Sequence, residues 1–210
     1  MGPNGSGKST LAQTLLAHPH CQVTNGKILL GKKNITRLSP DKIARLGILL
    51  AFQYPQTIPG VSVSNLLKIA RQEGAQKKIN FAIFSKHLGG HAKSLRLKKE
   101  FLDRFLNDGL SGGEKKKLEL LQLLMLKPKL AIFDEIDSGL DIDALKLAAK
   151  KINELKKLGT SILLITHYNR ILKYVRPDFV HIMNHGKIIK SGNQKLAEVI
   201  EQKGYRSKDQ

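Results

Sequence analysis

A phosphate-cradling motif opens this sequence and restricts the folds available to it. Residues 2–10 match the pattern G-x-x-x-x-G-K-[ST] without a mismatch. Glycines let the backbone approach phosphates closely and turn successive N–H groups inward as an anion nest. The pattern predicts a phosphate-binding loop, here called the P-loop, made of Gly2, Pro3, Asn4, Gly5, Ser6, Gly7, Lys8, Ser9 and Thr10.

Two side chains of the P-loop have separate chemical tasks. Lys8 brings a mobile positive charge to the β- and γ-phosphates of a nucleotide. Ser9 opens a helix and places its hydroxyl where Mg²⁺ would bind, with the positive end of the helix dipole under the phosphates. Leu11, Leu15 and Leu16 give that helix an apolar face. The alternative is a glycine-rich turn that caps an ordinary helix.

Very little sequence stands before the P-loop. Only Met1 precedes Gly2, whereas such a loop follows a buried β-strand. We therefore expect the strand that aims the loop to lie outside this sequence, either because the start codon is misassigned or because the chain is a fragment. Without that strand, an edge of the sheet and part of the core would be exposed, and we expect the chain to fold poorly.

The charge balance is the unusual feature of the composition. The 210 residues include 36 Lys and Arg against 17 Asp and Glu, a formal net charge of +19. Such an excess suits nucleic acid, an anionic membrane or an acidic partner protein. The basic residues are dispersed, and no aromatic run is interleaved with them to stack bases, which argues against nucleic acid as the partner.

The remaining composition suits one domain with a substantial core and room for a small insert. No segment approaches the roughly 18 consecutive apolar residues of a membrane span, so direct membrane insertion is not expected. The single cysteine, Cys21, excludes an internal disulfide and fits a reducing compartment. We interpret it as a packing residue; a reactive thiol or a metal ligand is the alternative.

Short apolar strands alternate with amphipathic helices along most of the chain. Strand patterns cover residues 48–52, 130–133 and 161–166, and a hairpin is expected within 179–190. Residues 62–108 lack buried-strand signals and predict a helical insert. The fold class is therefore α/β, with a mostly parallel sheet flanked by helices. We divide the chain into a nucleotide-binding core, 1–61 and 111–210, and a helical subdomain, 62–110.

Two further stretches carry polar groups suited to phosphate chemistry. Ser111, Gly112 and Gly113 stand at a helix start and form a second anion nest without a lysine of its own. Asp134 and Glu135 follow a buried strand, where Asp134 would support Mg²⁺ and Glu135 would orient and deprotonate an attacking water. Each has a plainer alternative, a turn for the first and a helix cap for the second.

Two more candidates lie downstream. Asp141 ends the stretch Ser138-Gly139-Leu140-Asp141 just before a predicted helix. His167 follows the strand 161–166, where it could contact a γ-phosphate and report its presence. Judged alone, such a histidine is more often an ordinary polar residue at a sheet edge.

The order of these motifs resembles that of the ATP-binding cassette family. The matching stretches are Walker A, Gly2–Thr10; Q-loop, Gln53; signature, Leu110–Glu114; Walker B, Leu130–Glu135; D-loop, Ser138–Asp141; and H-loop, His167. The resemblance implies a P-loop ATPase that takes ATP and Mg²⁺ and works as a head-to-tail dimer. Ser111, Gly112, Gly113 and Asp141 would then act on the partner's nucleotide. Gln53 would link Mg²⁺ and the attacking water to the helical insert.

Within that family, several stretches resemble the SufC type, the ATPase of iron–sulfur cluster assembly. They are 52–55 with 58–61, 111–116, 137–145, 166–168, 190–192 and 204–205. This resemblance implies SufB-like and SufD-like scaffold partners and a cytoplasmic location, or the plastid stroma if a transit peptide was lost.

One departure and two alternatives accompany the resemblance. The family's adenine-stacking aromatic lies upstream of the P-loop and is not in this sequence. The alternatives are the ATPase subunit of a transporter and a DNA-repair or chromosome-type ATPase, which the net charge would suit. Glu114 stands where transporter cassettes usually carry Gln, which favours the assembly ATPase.

Overall fold

The computed structural model describes residues 1–52, 55–75, 80–166 and 170–205. Two predicted site residues, Gln53 and His167, lie outside the described residues. The helices are α1 (Lys8–Leu15), α2 (Pro40–Arg45), α3 (Val63–Ala75), α4 (Phe81–Ser94), α5 (Gly112–Leu126), α6 (Ile142–Lys157) and α7 (Gln194–Lys203). The strands are β1 (Leu29–Leu30), β2 (Lys33–Asn34), β3 (Ile48–Ala51), β4 (Ile58–Ser62), β5 (Phe105–Leu106), β6 (Leu130–Asp134), β7 (Ser161–Ile165), β8 (Val180–Asn184) and β9 (Lys187–Gly192).

A parallel sheet in the order β3-β6-β7 lies at the centre of the fold. Ala51 pairs with Phe133, and Asp134 pairs with Ile165. The three carboxyl ends therefore share one sheet edge, where ligands bind in open α/β sheets. The α/β prediction with a mostly parallel sheet is confirmed.

Successive residues of β6 point into different halves of the core. Ile132 packs with Ala12 of α1 and Ile43 of α2, whereas Phe133 packs in the larger cluster formed with α5 and α6. All four side chains are buried. Strand alternation thus sandwiches the sheet between two layers of helices.

The helix α6 shows how local sequence sets these elements. The Asp141 side chain accepts a hydrogen bond from the Ala144 amide, which caps the first turn. Leu145, Ile152 and Leu155 recur on the buried face, each of them burying apolar area worth about 1.5–3 kcal/mol. The helix ends before Gly159, which has a φ of 91°.

The region predicted as a helical insert contains α3, α4 and a short 3-10 turn at Lys99–Leu102, and both helices pack on α5. One feature there was not expected. β4 pairs with β5 in an antiparallel, irregular register. A two-residue strand is too short to show an alternating pattern, and Pro59-Gly60 indicates a break rather than a strand. The boundaries of the helical subdomain stay a prediction.

The hairpin of β8 and β9 lies beside the start of the chain. The Met1 amino group donates to the His181 carbonyl, and the Met183 amide donates to the Met1 carbonyl, both at 2.8 Å. Among the described strands, β7 pairs with β6 alone, and its other edge lines a largely apolar cleft of about 520 Å³. No described helix is long and apolar enough to cross a membrane.

Candidate functional site

The P-loop has the backbone that an anion nest requires. Gly5 and Gly7 have φ of 75° and 98°, in the left-handed region that favours glycine. Gly7 also precedes the first residue of α1, so the helix N-terminus points into the loop. Gly2 is required for another reason, because a Cβ there would collide with the Met183 carbonyl.

Lys8 folds back onto its own loop. Its ammonium donates to the carbonyls of Gly2 and Pro3, at 3.0 and 2.8 Å, and to the Ser6 hydroxyl at 3.3 Å. Burial lowers the pKa of Lys8, while Glu135 and Asp134 oppose that shift. The charge is therefore held at the centre of the loop by weak acceptors that phosphate oxygens would replace.

Neighbouring elements brace the P-loop from one side. The Gly186 amide, in the turn between β8 and β9, donates to the Ser6 carbonyl at 2.9 Å. The Gly2 amide is hydrogen-bonded to the Tyr205 hydroxyl. Burial raises the pKa of Tyr205. A cavity of about 500 Å³ beside the loop is lined by Pro3, Asn4, Gly5, Ser6, Asn184, His185 and Tyr205. The sequence reasoning assigned no site role to the last three residues, since a hairpin turn and a terminal Tyr carry no motif.

The carboxylates of Asp134 and Glu135, at the end of β6, interact electrostatically with Lys8. Asp134 is the last residue of the strand and is buried, whereas Glu135 is half-buried. Glu135 has a φ of 52°, a left-handed conformation that a Glu rarely adopts, and its amide donates to the Ile165 carbonyl at 2.9 Å. Backbone strain at this position is typical of functional sites.

The signature turn forms its own local structure on the surface. The Ser111 hydroxyl lies 2.7 Å from the Glu114 carboxylate, and the Ser111 amide donates to the same oxygen at 2.9 Å, completing a capping box. These bonds lower the pKa of Glu114. A Cβ added at Gly112 or Gly113 would meet nothing within 4 Å. The turn is therefore open to an external group.

The structure does not bring every predicted residue to one place. Ser111, Gly112, Gly113 and Asp141 line neither of the cavities beside the P-loop. Asp141 is exposed and caps α6 through a 2.7 Å bond from the Ala144 amide. Lys8, Asp134 and Glu135 do come together at the sheet edge.

A network that the site assignments did not include extends from Glu135. The Lys116 ammonium donates to the carbonyls of Glu135, at 3.4 Å, and of Ser138. The Thr166 hydroxyl donates to Asp137 at 2.8 Å, and burial raises the pKa of that carboxyl. The only sequence signal for these residues was their position within recognised motif stretches.

The residues present fit Mg²⁺ bound together with a nucleotide. Ser9 offers a hydroxyl in the first turn of α1, and Asp134 offers a carboxylate at the sheet edge, both oxygen donors of the kind that Mg²⁺ prefers. In the described part of the chain, no three His, Cys, Asp or Glu residues form a metal site. A cation held by one carboxylate and substrate phosphates is consistent with that finding.

Sequence comparisons agree with this geometry. The model of a family described as "ABC transporter" matches residues 1–138. A "Probable ABC transporter ATP-binding protein" of Streptococcus pyogenes serotype M3 is 48% identical over 207 residues, covering 98% of this chain and 81% of the relative. The "Probable ATP-dependent transporter ycf16" of Cyanophora paradoxa is 47% identical over 209 residues, with the same coverage. "Vegetative protein 296" of Bacillus subtilis is 46% identical over 209 residues, covering 98% and 79%.

Solved structures show the same fold. A nucleotide-free ATP-binding cassette from an ABC transporter matches with a TM-score of 0.74 and 26% identity, covering 98% of this chain and 86% of the other. A dimeric cassette in a post-hydrolysis state with ADP and phosphate matches with a TM-score of 0.78 at 18% identity, covering 92% and 83%. At that identity the second match supports the fold alone.

Proposed function

This chain belongs to the ABC transporter family of ATP-binding cassette ATPases, and we propose that it hydrolyses Mg·ATP to energise iron–sulfur cluster assembly on a protein scaffold. The observation that carries the ATPase assignment is the convergence of Lys8, Asp134 and Glu135 beside the glycine nest. A desolvated cation and two carboxylates at a helix N-terminus are what phosphoryl transfer to water requires.

Each residue has a defined task in that reaction. The P-loop amides and Lys8 would bind the phosphates, with Lys8 exchanging the carbonyls of Gly2 and Pro3 for phosphate oxygens. Ser9 and Asp134 would hold Mg²⁺, which when bound neutralises phosphate charge. Glu135 would orient the attacking water and accept its proton. Gln53 and His167 keep their predicted roles, Gln53 at Mg²⁺ and water and His167 at the γ-phosphate.

A head-to-tail dimer is the assembly that we propose. The signature turn presents a helix N-terminus and two glycines with open space around them, and it does not line the cavities beside its own P-loop. An anion nest without a lysine suits phosphates that a second copy has already bound. Ser111, Gly112, Gly113 and the exposed Asp141 would then act across the interface.

Support for the assembly role comes from the stretches that resemble the SufC type. Residues from three of them contact one another directly: Lys116 bonds Ser138, and Thr166 bonds Asp137. This network adjoins the proposed general base, so it ties those stretches to the hydrolytic site. We propose SufB-like and SufD-like proteins as partners and the cytoplasm as the location, with the plastid stroma as the alternative.

The second candidate is the ATPase subunit of a membrane transporter. The names of the relatives favour it, since two of them refer to transport. The DNA-repair or chromosome-type alternative is less favoured and predicts DNA-stimulated hydrolysis that salt suppresses.

Co-purification separates the assembly role from the transporter role. The chain is expressed with SufB-like and SufD-like proteins, and ATP hydrolysis is measured with and without them, using Lys8→Ala as the inactive control. We expect a stable complex with faster hydrolysis. Absence of binding, together with recovery of the chain in a detergent-extracted membrane complex, would overturn the assembly role and support the transporter.

A further inference from the structure

Glu119 is a buried carboxylate for which no motif accounts. It lies on α5 with only 6% of its surface exposed, between the wholly buried Leu118 and the buried Leu120. Elsewhere the buried face of this helix is made of apolar side chains. A carboxylate is costly in such a place unless it has hydrogen-bonded or charged partners.

The first partner of Glu119 is at the end of β3. The backbone amide of Phe52, the residue directly after that strand, is hydrogen-bonded to the Glu119 carboxylate. Burial raises the pKa of Glu119 to about 8, and Lys116, one turn earlier on α5, opposes the shift. Glu119 therefore joins α5 to β3, the strand that leads toward Gln53.

The second partner of Glu119 is Lys116, which links it to the end of β6. Lys116 interacts with Glu119 and also with Asp137 and Glu135, and it donates to the Glu135 and Ser138 carbonyls. Because β3 and β6 are adjacent in the sheet, the single helix α5 contacts both strand ends at the catalytic edge.

We propose that Glu119 is a positioning residue that fixes the ends of β3 and β6 to α5, so that movement of the signature turn shifts both ends together. The proposal rests on the ATPase function proposed above, since these strand ends carry the residues assigned to water and Mg²⁺. Engagement of the turn at Ser111 by a second copy would thus act on the same helix that holds the hydrolytic edge.

A purely structural role of Glu119 would give a different experimental result. If Glu119 only satisfied the Phe52 amide, its loss would cost stability without changing hydrolysis by the folded protein. If it positions the strand ends, its loss slows the chemical step while the P-loop still binds nucleotide.

Two substitutions of similar volume separate these cases. Glu119→Gln keeps an acceptor for Phe52, whereas Glu119→Met removes it without leaving a large cavity. Glu154→Gln, a partly exposed carboxylate of α6 paired with Lys151, is the matched control. The readouts are amide hydrogen exchange at Phe52 and Glu135, the dissociation constant for Mg·ATP, and kcat.

For Glu119→Met we expect exchange at Phe52 to accelerate about tenfold or more, because the amide loses its acceptor. We also expect faster exchange at Glu135, a kcat lowered about tenfold, and a nucleotide dissociation constant within about twofold of the parent. Glu119→Gln and Glu154→Gln should stay within about twofold of the parent on every readout.

Parental exchange at Phe52, or parental kcat, in Glu119→Met would overturn the proposal, and so would a loss of nucleotide binding parallel to the loss of kcat. A parent chain without ATP hydrolysis would overturn the proposed function instead. In that case exchange at Phe52 and Glu135 in the two Glu119 variants still decides whether Glu119 fixes the strand ends.

Discussion

Lys8 bonds to its own loop, and these bonds fix its ammonium at the centre of the P-loop. Its three acceptors are two carbonyls and one hydroxyl, and the carboxylates of Asp134 and Glu135 are near enough to favour its charge. A nucleotide would exchange these neutral acceptors for charged phosphate oxygens, which form stronger hydrogen bonds. The binding contribution of Lys8 therefore comes from the difference between the two sets.

Lys8→Ala should weaken Mg·ATP binding about 10- to 100-fold, since a charge-assisted hydrogen bond contributes about 1.5–3 kcal/mol. Equilibrium dialysis measures the effect directly. Lys117→Ala, in the run of lysines on α5, serves as a control for the loss of one positive charge outside the P-loop. Parental affinity in Lys8→Ala would remove this residue from the phosphate site.

The buried carboxyl of Glu119 should make the unfolding free energy depend on pH. Its pKa is about 8 in the folded protein against 4.5 as the ordinary value. A raised folded pKa gives stability that is present below pH 4.5 and is lost as the pH rises through 8. The Gln side chain of Glu119→Gln does not titrate. Between pH 5 and 9, the unfolding free energy of the parent should therefore fall by about 3–5 kcal/mol more than that of the variant. Chemical denaturation at several pH values tests this; equal pH dependence in parent and variant would contradict it.

The helix α5 combines two tasks at the scale of an element. Its N-terminus carries the capping box of Ser111 and Glu114, and its middle carries Lys116 and Glu119 toward the sheet edge. The capping box is local and keeps the turn in shape without a partner. The same turn is exposed, so α5 connects an external surface to the proposed hydrolytic site.

Ser111→Ala should lower the unfolding free energy by about 1 kcal/mol, because the cap no longer accepts from the Glu114 amide. Thermal or urea denaturation measures the change. Ser161→Ala, at an exposed position that starts β7, is a serine control outside any cap. A Ser111→Ala protein as stable as the control would show that the cap contributes nothing.

Elements with long regular patterns could be predicted from the sequence, and short or nonlocal features could not. The strands within 48–52 and 130–133 and the helix through Leu155 were visible because apolar residues recur at a fixed period over several positions. The pairing of β4 with β5 was missed because its register is irregular and β5 has two residues. The bond from Phe52 to Glu119 joins positions far apart in sequence, where no period exists.

At the scale of the whole molecule, the separation of the two anion nests is the decisive feature. One nest holds Lys8 and lies beside the carboxylates of the sheet edge; the other begins α5 on the surface. The motifs located both turns, since each has a local pattern, and phosphate binding at each stays a prediction. The contacts of Lys116 and Tyr205 at the site needed the fold, because neither residue type in isolation indicates a function.

Mixing two inactive variants tests the shared site. Gly112→Asp should fold normally, since open space surrounds this position and an acidic residue suits the first helical turn, yet its carboxylate would repel a partner's phosphates. Lys8→Ala cannot bind those phosphates well. A mixture of the two should recover up to about a quarter of parental hydrolysis, because half of random dimers are mixed and each has one intact site. No recovery in a mixture shown to dimerise would contradict the head-to-tail arrangement.

Phosphate release from ATP by Glu135→Gln, beside the parent and under saturating nucleotide, examines the hydrolytic assignment itself. The amide keeps the size of the side chain but cannot accept the proton of the attacking water. We predict release at least about a hundredfold slower than in the parent, with Mg·ATP binding preserved. Release at the parental rate would show that Glu135 is not the general base, and the site assignment built on Lys8, Asp134 and Glu135 would have to be abandoned.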